Sequence, residues 1–178
     1  WLKRELVASD ATWKVIAADM PIGLFSEDGI ALGDGPPERR EHEIANLLSF
    51  MKRAGIRNTV WLTADMHYTA AHHYDPNRAA FQDFEPFWEF VSGPLHAGTW
   101  APAPLDNTFG PKAMFQKGCS GENLAPCYGM QFFGRVDIDG KTEMMTVTLK
   151  DVDNRDLWSV DIEPRPDARP GHIMEQHI

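Results

Sequence analysis

The sequence has only two cysteines and no run of basic residues longer than two. Its 17 lysines and arginines are outnumbered by 26 aspartates and glutamates, giving a net charge of −9. A nucleic-acid-binding protein usually shows a basic face, so this composition argues against that class. The sequence also lacks an apolar run long enough to cross a membrane. We therefore expect a globular protein with neither a nucleic-acid partner nor a membrane span.

The two cysteines, Cys119 and Cys127, lie in one polar loop. A disulfide between them would close a short loop and would suit an exported protein. Free thiols and incidental metal contacts are the alternatives. The choice stays open because the sequence does not reveal the redox compartment.

The chain begins at Trp1, without a methionine, inside an amphipathic pattern. This beginning predicts the C-terminal part of a longer protein, with any targeting segment lying upstream. The 178 residues can hold one domain with a sizeable core. We expect residues 1–163 to belong to that domain. Residues 164–178, rich in Pro, Arg and Asp, predict a surface or disordered tail.

Two strands joined by a helix organise the first half of the sequence. Residues 13–18 and 59–63 are short apolar and β-branched runs typical of buried strands. Between them, apolar residues recur at helical spacing from Ile44 to Met51, with glutamates before the stripe and basic residues after it. This order predicts a crossover between parallel strands. The glycine-rich residues 23–35 predict a loop or mobile lid.

The second half changes pattern. Residues 84–91 alternate aromatic and acidic side chains, which predicts a half-buried strand. Residues 92–126 are rich in Pro, Gly and Asn and predict a long loop. Three further runs, at residues 131–138, 144–150 and 156–162, are separated by Asp- and Gly-containing turns. They predict an antiparallel meander.

Polar residues follow both predicted parallel strands. Asp19 comes after the first strand, and Asp65 and His67 come two apart after the second. If the strand geometry continues one step further, Asp65 and His67 leave the same face. Open α/β sheets bind ligands at this edge, and carboxylate with imidazole suits zinc, iron or manganese. Spacing alone favours the alternative interpretation, a turn aspartate and a hydrogen-bonded histidine.

Several ordered blocks of the sequence resemble alkaline phosphatase D (PhoD-like) phosphatases, which belong to the calcineurin-like metallophosphoesterases. The blocks run from near the start of the chain to about residue 160, so their order is far more specific than a lone Asp-x-His. They are Trp13-Lys14-Val15-Ile16, Arg57 to Tyr68, Tyr74-Asp75-Pro76, Phe87 to Pro94, Leu105 to Pro111 and Gln131-Phe132-Phe133-Gly134.

The resemblance implies the C-terminal half of a four-layer α/β/β/α sandwich of mixed sheets. It implies metal-dependent hydrolysis of phosphate monoesters or diesters, with a small phosphate ester as substrate. The implied cofactor is a divalent or trivalent metal ion, with iron, calcium, manganese and zinc as candidates. It also implies an exported or periplasmic location.

The family motif Gly-Asp-x-His is matched by Ala64, Asp65, Met66 and His67, so Asp65 and His67 take the metal-ligand positions. The resemblance makes Asp19 a further ligand or a substrate contact, because the superfamily often has a His before a proline there.

A family segment containing Asp-Gly is replaced here by residues 26–31, which puts Asp28 in doubt as a functional residue. Arg40 resembles the arginine that follows this segment.

An imidazole beside the metals could protonate the leaving group. His96 is one candidate, and either His72 or His73 is the alternative. Because adjacent residues of a strand face opposite ways, at most one of the last two is expected beside His67.

The superfamily takes other metal ligands from upstream motifs of Asp-x-His, Gly-Asp-x-x-Asp and Gly-Asn-His type, and none of these precedes Asp65 here. We therefore expect the chain to hold part of a site and to bind metal poorly alone. Sheet surface normally covered by the missing half predicts a homo-oligomer. A non-catalytic α/β binding or structural module is the alternative, and a metal-dependent hydrolase of another ester class is a weaker one.

Overall fold

The computed structural model describes residues 1–26 and 30–166, which form two helices, eight strands and three short 3₁₀ helices. The helices are α1 (Leu2–Ala8) and α2 (Glu41–Arg53), and the 3₁₀ helices are Pro76–Arg78, Asn107–Phe109 and Pro126–Tyr128. The strands are β1 (Lys14–Ala17), β2 (Thr59–Thr63), β3 (Thr69–Tyr74), β4 (Phe87–Val91), β5 (Pro111–Lys117), β6 (Phe132–Ile138), β7 (Met145–Asp151) and β8 (Asp156–Ile162).

The first five strands form one mixed sheet in the order β1-β2-β4-β3-β5. Strands β1, β2 and β4 are parallel, whereas β3 runs antiparallel to both of its neighbours. Lys14 lies opposite Thr59, and Ala17 lies opposite Leu62. The predicted pairing of two parallel strands across a helix is therefore confirmed.

Helix α2 covers one face of this sheet. Its buried Ala45, Leu48 and Met51 share a core with Ile16 of β1 and Trp61 of β2. Acidic residues in its first turn and basic residues in its last turn complement the helix dipole. The apolar stripe and the end charges together explain why this segment forms a helix against the sheet.

The last three strands form a separate antiparallel sheet in the order β6-β7-β8, as the turns predicted. Met145, Val147 and Leu149 of β7 are buried in a core with Val60 of β2 and Phe90 of β4. The mixed sheet thus lies between helices and a second sheet. The described residues form an α/β/β arrangement, which confirms the fold class and accounts for three of the four expected layers.

Strand β4 corrects the prediction for residues 84–91. The strand begins at Phe87 and lies between β2 and β3, in the middle of the mixed sheet. Phe87 is buried toward the helices, and Phe90 is buried toward the second sheet. Because both faces are covered, β4 is a buried central strand. The aromatic and acidic alternation did not mark a solvent-exposed face.

Strand β5 corrects the prediction that residues 92–126 are a long loop. Residues 111–117 pair with β3 as an edge strand, and every second side chain along β5 is exposed. An edge strand tolerates the proline at its first position. The surrounding Pro- and Gly-rich composition hid this strand.

The described part of residues 23–35 is not a lid. Ile22, Leu24 and Ala31 are almost completely buried. Leu24 forms an antiparallel bridge with Leu105, and the N–H of Leu32 donates a hydrogen bond to the Glu41 carboxylate (2.8 Å), so both described parts of the segment are attached to the rest of the chain. Residues 27–29, which include Asp28, lie outside the described residues.

The predicted tail begins as a packed surface segment. The side chain of Asn58 donates a hydrogen bond to the carbonyl of Arg165 (2.9 Å) and accepts one from its N–H (2.8 Å). The rest of the predicted tail, residues 167–178, lies outside the described residues. No helix in the described ranges is long and apolar enough to span a membrane.

Both cysteines are free thiols. Cys119 is buried, and its Sγ lies 3.0 Å from the carbonyl oxygens of Thr99 and Gly121. Cys127 is exposed. The structure thus has the free-thiol alternative in place of the disulfide.

Candidate metal centre

Asp19 and Asp65 follow neighbouring parallel strands, and backbone hydrogen bonds tie their loops together. The N–H of Ala18 donates to the carbonyl of Leu62 (3.0 Å), and the N–H of Ala64 donates to the carbonyl of Asp19 (2.9 Å). Both aspartates are exposed. The structure therefore brings two of the predicted ligand positions together at the carboxyl edge of the mixed sheet.

The backbone turns sharply between β2 and β3. Asp65 and His67 have φ angles of 60° and 55°, in the left-handed region. Strand geometry ends at Thr63, so the condition for the predicted same-face arrangement of Asp65 and His67 is not met. Such backbone costs of order 1 kcal/mol or more per residue, and it concentrates at functional sites. The side chains are thus directed by a strained turn.

A second loop holds the imidazole of His67. Its Nδ1 lies 2.7 Å from the carbonyl oxygen of Gly98, and the N–H of Trp100 donates to the carbonyl of His67 (3.0 Å). Because a carbonyl oxygen only accepts hydrogen bonds, this contact places the ring proton on Nδ1. In the neutral ring, Nε2 then carries the lone pair. Metal-binding histidines commonly donate their other N–H to such an acceptor.

This donor set fits one share of a metal site. A carboxylate and a neutral imidazole nitrogen suit the mixed N/O coordination of zinc, iron or manganese. Within residues 1–26 and 30–166, no group of three or more His, Cys, Asp or Glu side chains is arranged to hold a metal ion. A metal ion held by Asp65 and His67 would therefore need further ligands from outside this group of described residues.

The two candidate catalytic residues lie on different elements. His96 is exposed in the loop that contacts His67, two residues before Gly98. Arg40 is exposed at the N-cap of α2. The loop connection places His96 near the Asp65–His67 turn by backbone contact.

Neither His72 nor His73 belongs to this edge. His72 is fully buried in β3, with its Nδ1 3.0 Å from the Glu89 carboxylate. His73 faces the opposite side of the sheet and lies edge-on to Trp88, with ring centroids 4.9 Å apart. The role of leaving-group acid considered for these two histidines therefore has no support in the geometry. Glu89 itself was missed, because the pairing of its strand with the strand of His72 and His73 was not predicted.

Tyr68 follows His67 directly and is buried in the core of the protein. Only 1% of its surface is exposed, and burial raises the pKa of its hydroxyl well above the ordinary value of 10.0. The hydroxyl thus stays protonated over the physiological range. Tyr68 packs with Leu24 and Val91 in a small core cluster, which supports the turn that carries Asp65 and His67.

The sequence profile of the PhoD-like phosphatases matches residues 1–149. The chain belongs to the PhoD-like phosphatase family, which confirms the resemblance seen in its motifs and supports a phosphatase-type function. No curated protein matches the chain significantly. Among solved structures, the chain is similar to the "Structure of PhoD", with 16% identity, a TM-score of 0.39, and coverage of 90% of this chain. The alignment spans 34% of that structure's chain, about a third of its length.

Proposed function

We propose that the chain supplies one share of the site of a metal-dependent phosphate-ester hydrolase. Asp65 and Nε2 of His67 are the metal ligands, and the neighbouring Asp19 is a further ligand or substrate contact. The observation that carries this proposal is the 2.7 Å contact between Nδ1 of His67 and the Gly98 carbonyl. With the proton on Nδ1, Nε2 of the neutral ring has the lone pair that a metal ion would accept.

Each residue has a defined task in this proposal. Divalent or trivalent metal ions, with iron, calcium, manganese and zinc as candidates, supply Lewis acidity at the phosphoryl group. The Gly98 carbonyl orients the His67 ring. His96, exposed on the same loop, donates a proton to the leaving oxygen. Arg40 contacts the phosphate oxygens through its guanidinium group.

In this proposal, the remaining metal ligands come from a part of the protein that lies outside this sequence. The family membership, together with the lack of a complete ligand group among the described residues, supports an origin of the other ligands in chain outside this sequence. The isolated chain then binds metal weakly and hydrolyses little. The substrate is a small phosphate monoester or diester, and the protein works in an exported or periplasmic location. Sheet surface that the upstream part would cover makes the isolated chain self-associate.

The test uses this chain and a version extended upstream to its native start codon. Metal content is measured by mass spectrometry, and hydrolysis is measured with a chromogenic phosphate monoester and diester. We expect bound metal and activity in the extended protein. The double variant Asp65→Ala, His67→Ala should lower the activity at least a thousandfold, since removing ligands abolishes the site.

The matched control removes an exposed histidine and an exposed aspartate elsewhere, in the variant His42→Ala, Asp153→Ala. It should keep both metal and activity. Full activity in the Asp65, His67 double variant would contradict the proposed ligands and favour a non-catalytic role for this edge. Activity toward carboxylic esters but not phosphate esters would contradict the proposed substrate class.

A further inference from the structure

Glu89 is a fully buried acidic residue in the middle of the mixed sheet. Its Oε2 accepts a hydrogen bond from the Tyr74 hydroxyl (2.7 Å) and lies 3.0 Å from Nδ1 of His72. Its Oε1 accepts a hydrogen bond from the N–H of Ile22 (2.8 Å). A carboxyl group is stable inside a protein only with such partners. Glu89 thus connects β3 and β4 to the segment that follows β1.

The next residue of that segment is held as well. The N–H of Gly23 donates to the Tyr74 hydroxyl (2.8 Å). A Cβ at Gly23 would come within 2.8 Å of Cγ of Pro111 and of Cε1 of Tyr74, so only glycine fits this close approach. Two consecutive N–H groups, those of Ile22 and Gly23, are therefore anchored by one buried pair, Glu89 and Tyr74. We name these two hydrogen bonds the 22–23 anchor.

The 22–23 anchor lies three residues after Asp19. The other end of this short connection is fixed to β2, because the N–H of Ala64 donates to the Asp19 carbonyl. Pro21 restricts the backbone between the two ends. The exposed Asp19 carboxylate thus projects from a connection that is anchored on both sides.

We infer that Glu89 is a positioning residue for the candidate metal centre. Through the N–H of Ile22, and through Tyr74 to Gly23, it holds the connection that carries Asp19 beside the Asp65 turn. The anchoring of the connection stands on the hydrogen bonds alone. Its consequence for catalysis rests on the proposed function.

The first test measures amide hydrogen exchange by NMR in this chain, which needs no enzymatic activity. Glu89→Gln keeps the size of the side chain but replaces one carboxylate oxygen with an NH₂ group. The amide therefore cannot accept all the hydrogen bonds that the carboxylate accepts. We expect exchange to be at least tenfold faster at Ile22, at Gly23 or at both. The amides of Val147 and Leu149 in β7 should exchange at the wild-type rate, since they lie in the other sheet.

Tyr74→Phe is the second variant, in case the first fails to fold. It removes the acceptor for Gly23 and keeps the ring that stacks on Phe87 at 4.4 Å. Exchange at Gly23 should then rise at least tenfold. Glu85→Gln, a change at a partly exposed glutamate before the same strand, is the matched control and should leave the rates unchanged. Unchanged exchange at Ile22 and Gly23, or an equal rise in β7, would overturn the inference.

The kinetic test uses the extended protein. Glu89→Gln should lower kcat at least tenfold with KM within twofold, and Glu85→Gln should change neither, because a misplaced Asp19 affects the reaction step. Unchanged kcat in a variant with a loosened 22–23 anchor would overturn the catalytic consequence. If the wild-type extended protein showed no metal-dependent hydrolysis, the proposed function would be contradicted. The hydrogen-exchange rates of Ile22 and Gly23 would then decide alone whether Glu89 anchors the connection.

Discussion

The mixed sheet carries two sets of polar residues with opposite surroundings. At its carboxyl edge, Asp19 and Asp65 are exposed, and Asp65 and His67 have strained left-handed backbone. In its interior, Glu89 and Tyr74 are fully buried and hydrogen-bonded to each other. The edge set is available to a ligand, whereas the interior set is occupied by the protein itself. Ligand binding and positioning are thus assigned to different residues of the same sheet.

The different surroundings of the two sets indicate which polar residues the fold requires for stability. A buried group that loses its partner leaves unsatisfied atoms in the core, so the interior set contributes to folding. An exposed carboxylate in a turn is solvated with or without its neighbours, so its presence calls for another reason, and ligand binding is one. Substitutions in the interior set should therefore lower the stability of the fold, whereas substitutions at the edge should lower activity with little change in stability.

The largest effect is expected in the interior. Glu89→Ala should lower the free energy of unfolding by about 3 kcal/mol or more, because it strands the buried donors of Tyr74, His72 and Ile22. Urea denaturation followed by tryptophan fluorescence measures this change. A loss below about 1 kcal/mol would show that the interior set is not required for stability, which would contradict the distinction between interior and edge.

A smaller effect is expected from His73, on the other face of the sheet. Burial, with a further contribution from the charge of Arg78, lowers the pKa of His73 below the usual 6.5. The unfolded chain then binds the proton more tightly, so folding stability falls as the pH drops below 6.5 toward the lower folded pKa. His73→Phe keeps an aromatic ring against Trp88 and should flatten this fall.

Denaturation between pH 5 and pH 7 isolates the His73 effect. The backbone N–H of Asn77 lowers the pKa of Asp75, so this carboxyl loses stabilisation only as the pH falls below about 4. An unchanged slope in His73→Phe would contradict the assignment to His73.

The smallest effect on stability is expected at the edge. Asn tolerates left-handed backbone as well as Asp does, so Asp65→Asn should change the free energy of unfolding by about 0.5 kcal/mol or less. The same variant should weaken metal retention by the extended protein at least tenfold, since a neutral amide replaces a charged ligand. Thermal unfolding and metal content measure the two results on one sample. A large loss of stability with metal retained would reverse the roles of edge and interior.

Local sequence patterns predicted the polar residues at the edge of the mixed sheet but not the hydrogen-bonded residues in its interior. The β-branched run of residues 59–63 and the helical stripe of α2 are contained in short stretches of sequence, and they placed Asp19 and Asp65 after neighbouring parallel strands. The positioning role of Glu89 depends on the strand register that places it opposite His72. That register joins residues 17 positions apart on strands whose pairing no local pattern shows.

The same limit explains the other misses. Strand β5 lies among Pro- and Gly-rich residues and is held by its pairing with β3, so tertiary context overrides its local composition. The contact between His67 and Gly98 joins residues 31 positions apart. The sequence predicted His67 as a ligand, but the loop that accepts a hydrogen bond from its ring is brought to it only by the folded chain.

The most direct test of the account is the ¹⁵N NMR signal of the His67 ring in the extended protein, recorded before and after addition of Zn²⁺. We predict that Nε2 shifts on metal binding while Nδ1 keeps its proton and its hydrogen bond to Gly98. Absence of any shift at His67 with metal bound elsewhere, or metal binding through Nδ1, would contradict the proposal that this edge of the sheet is a metal centre.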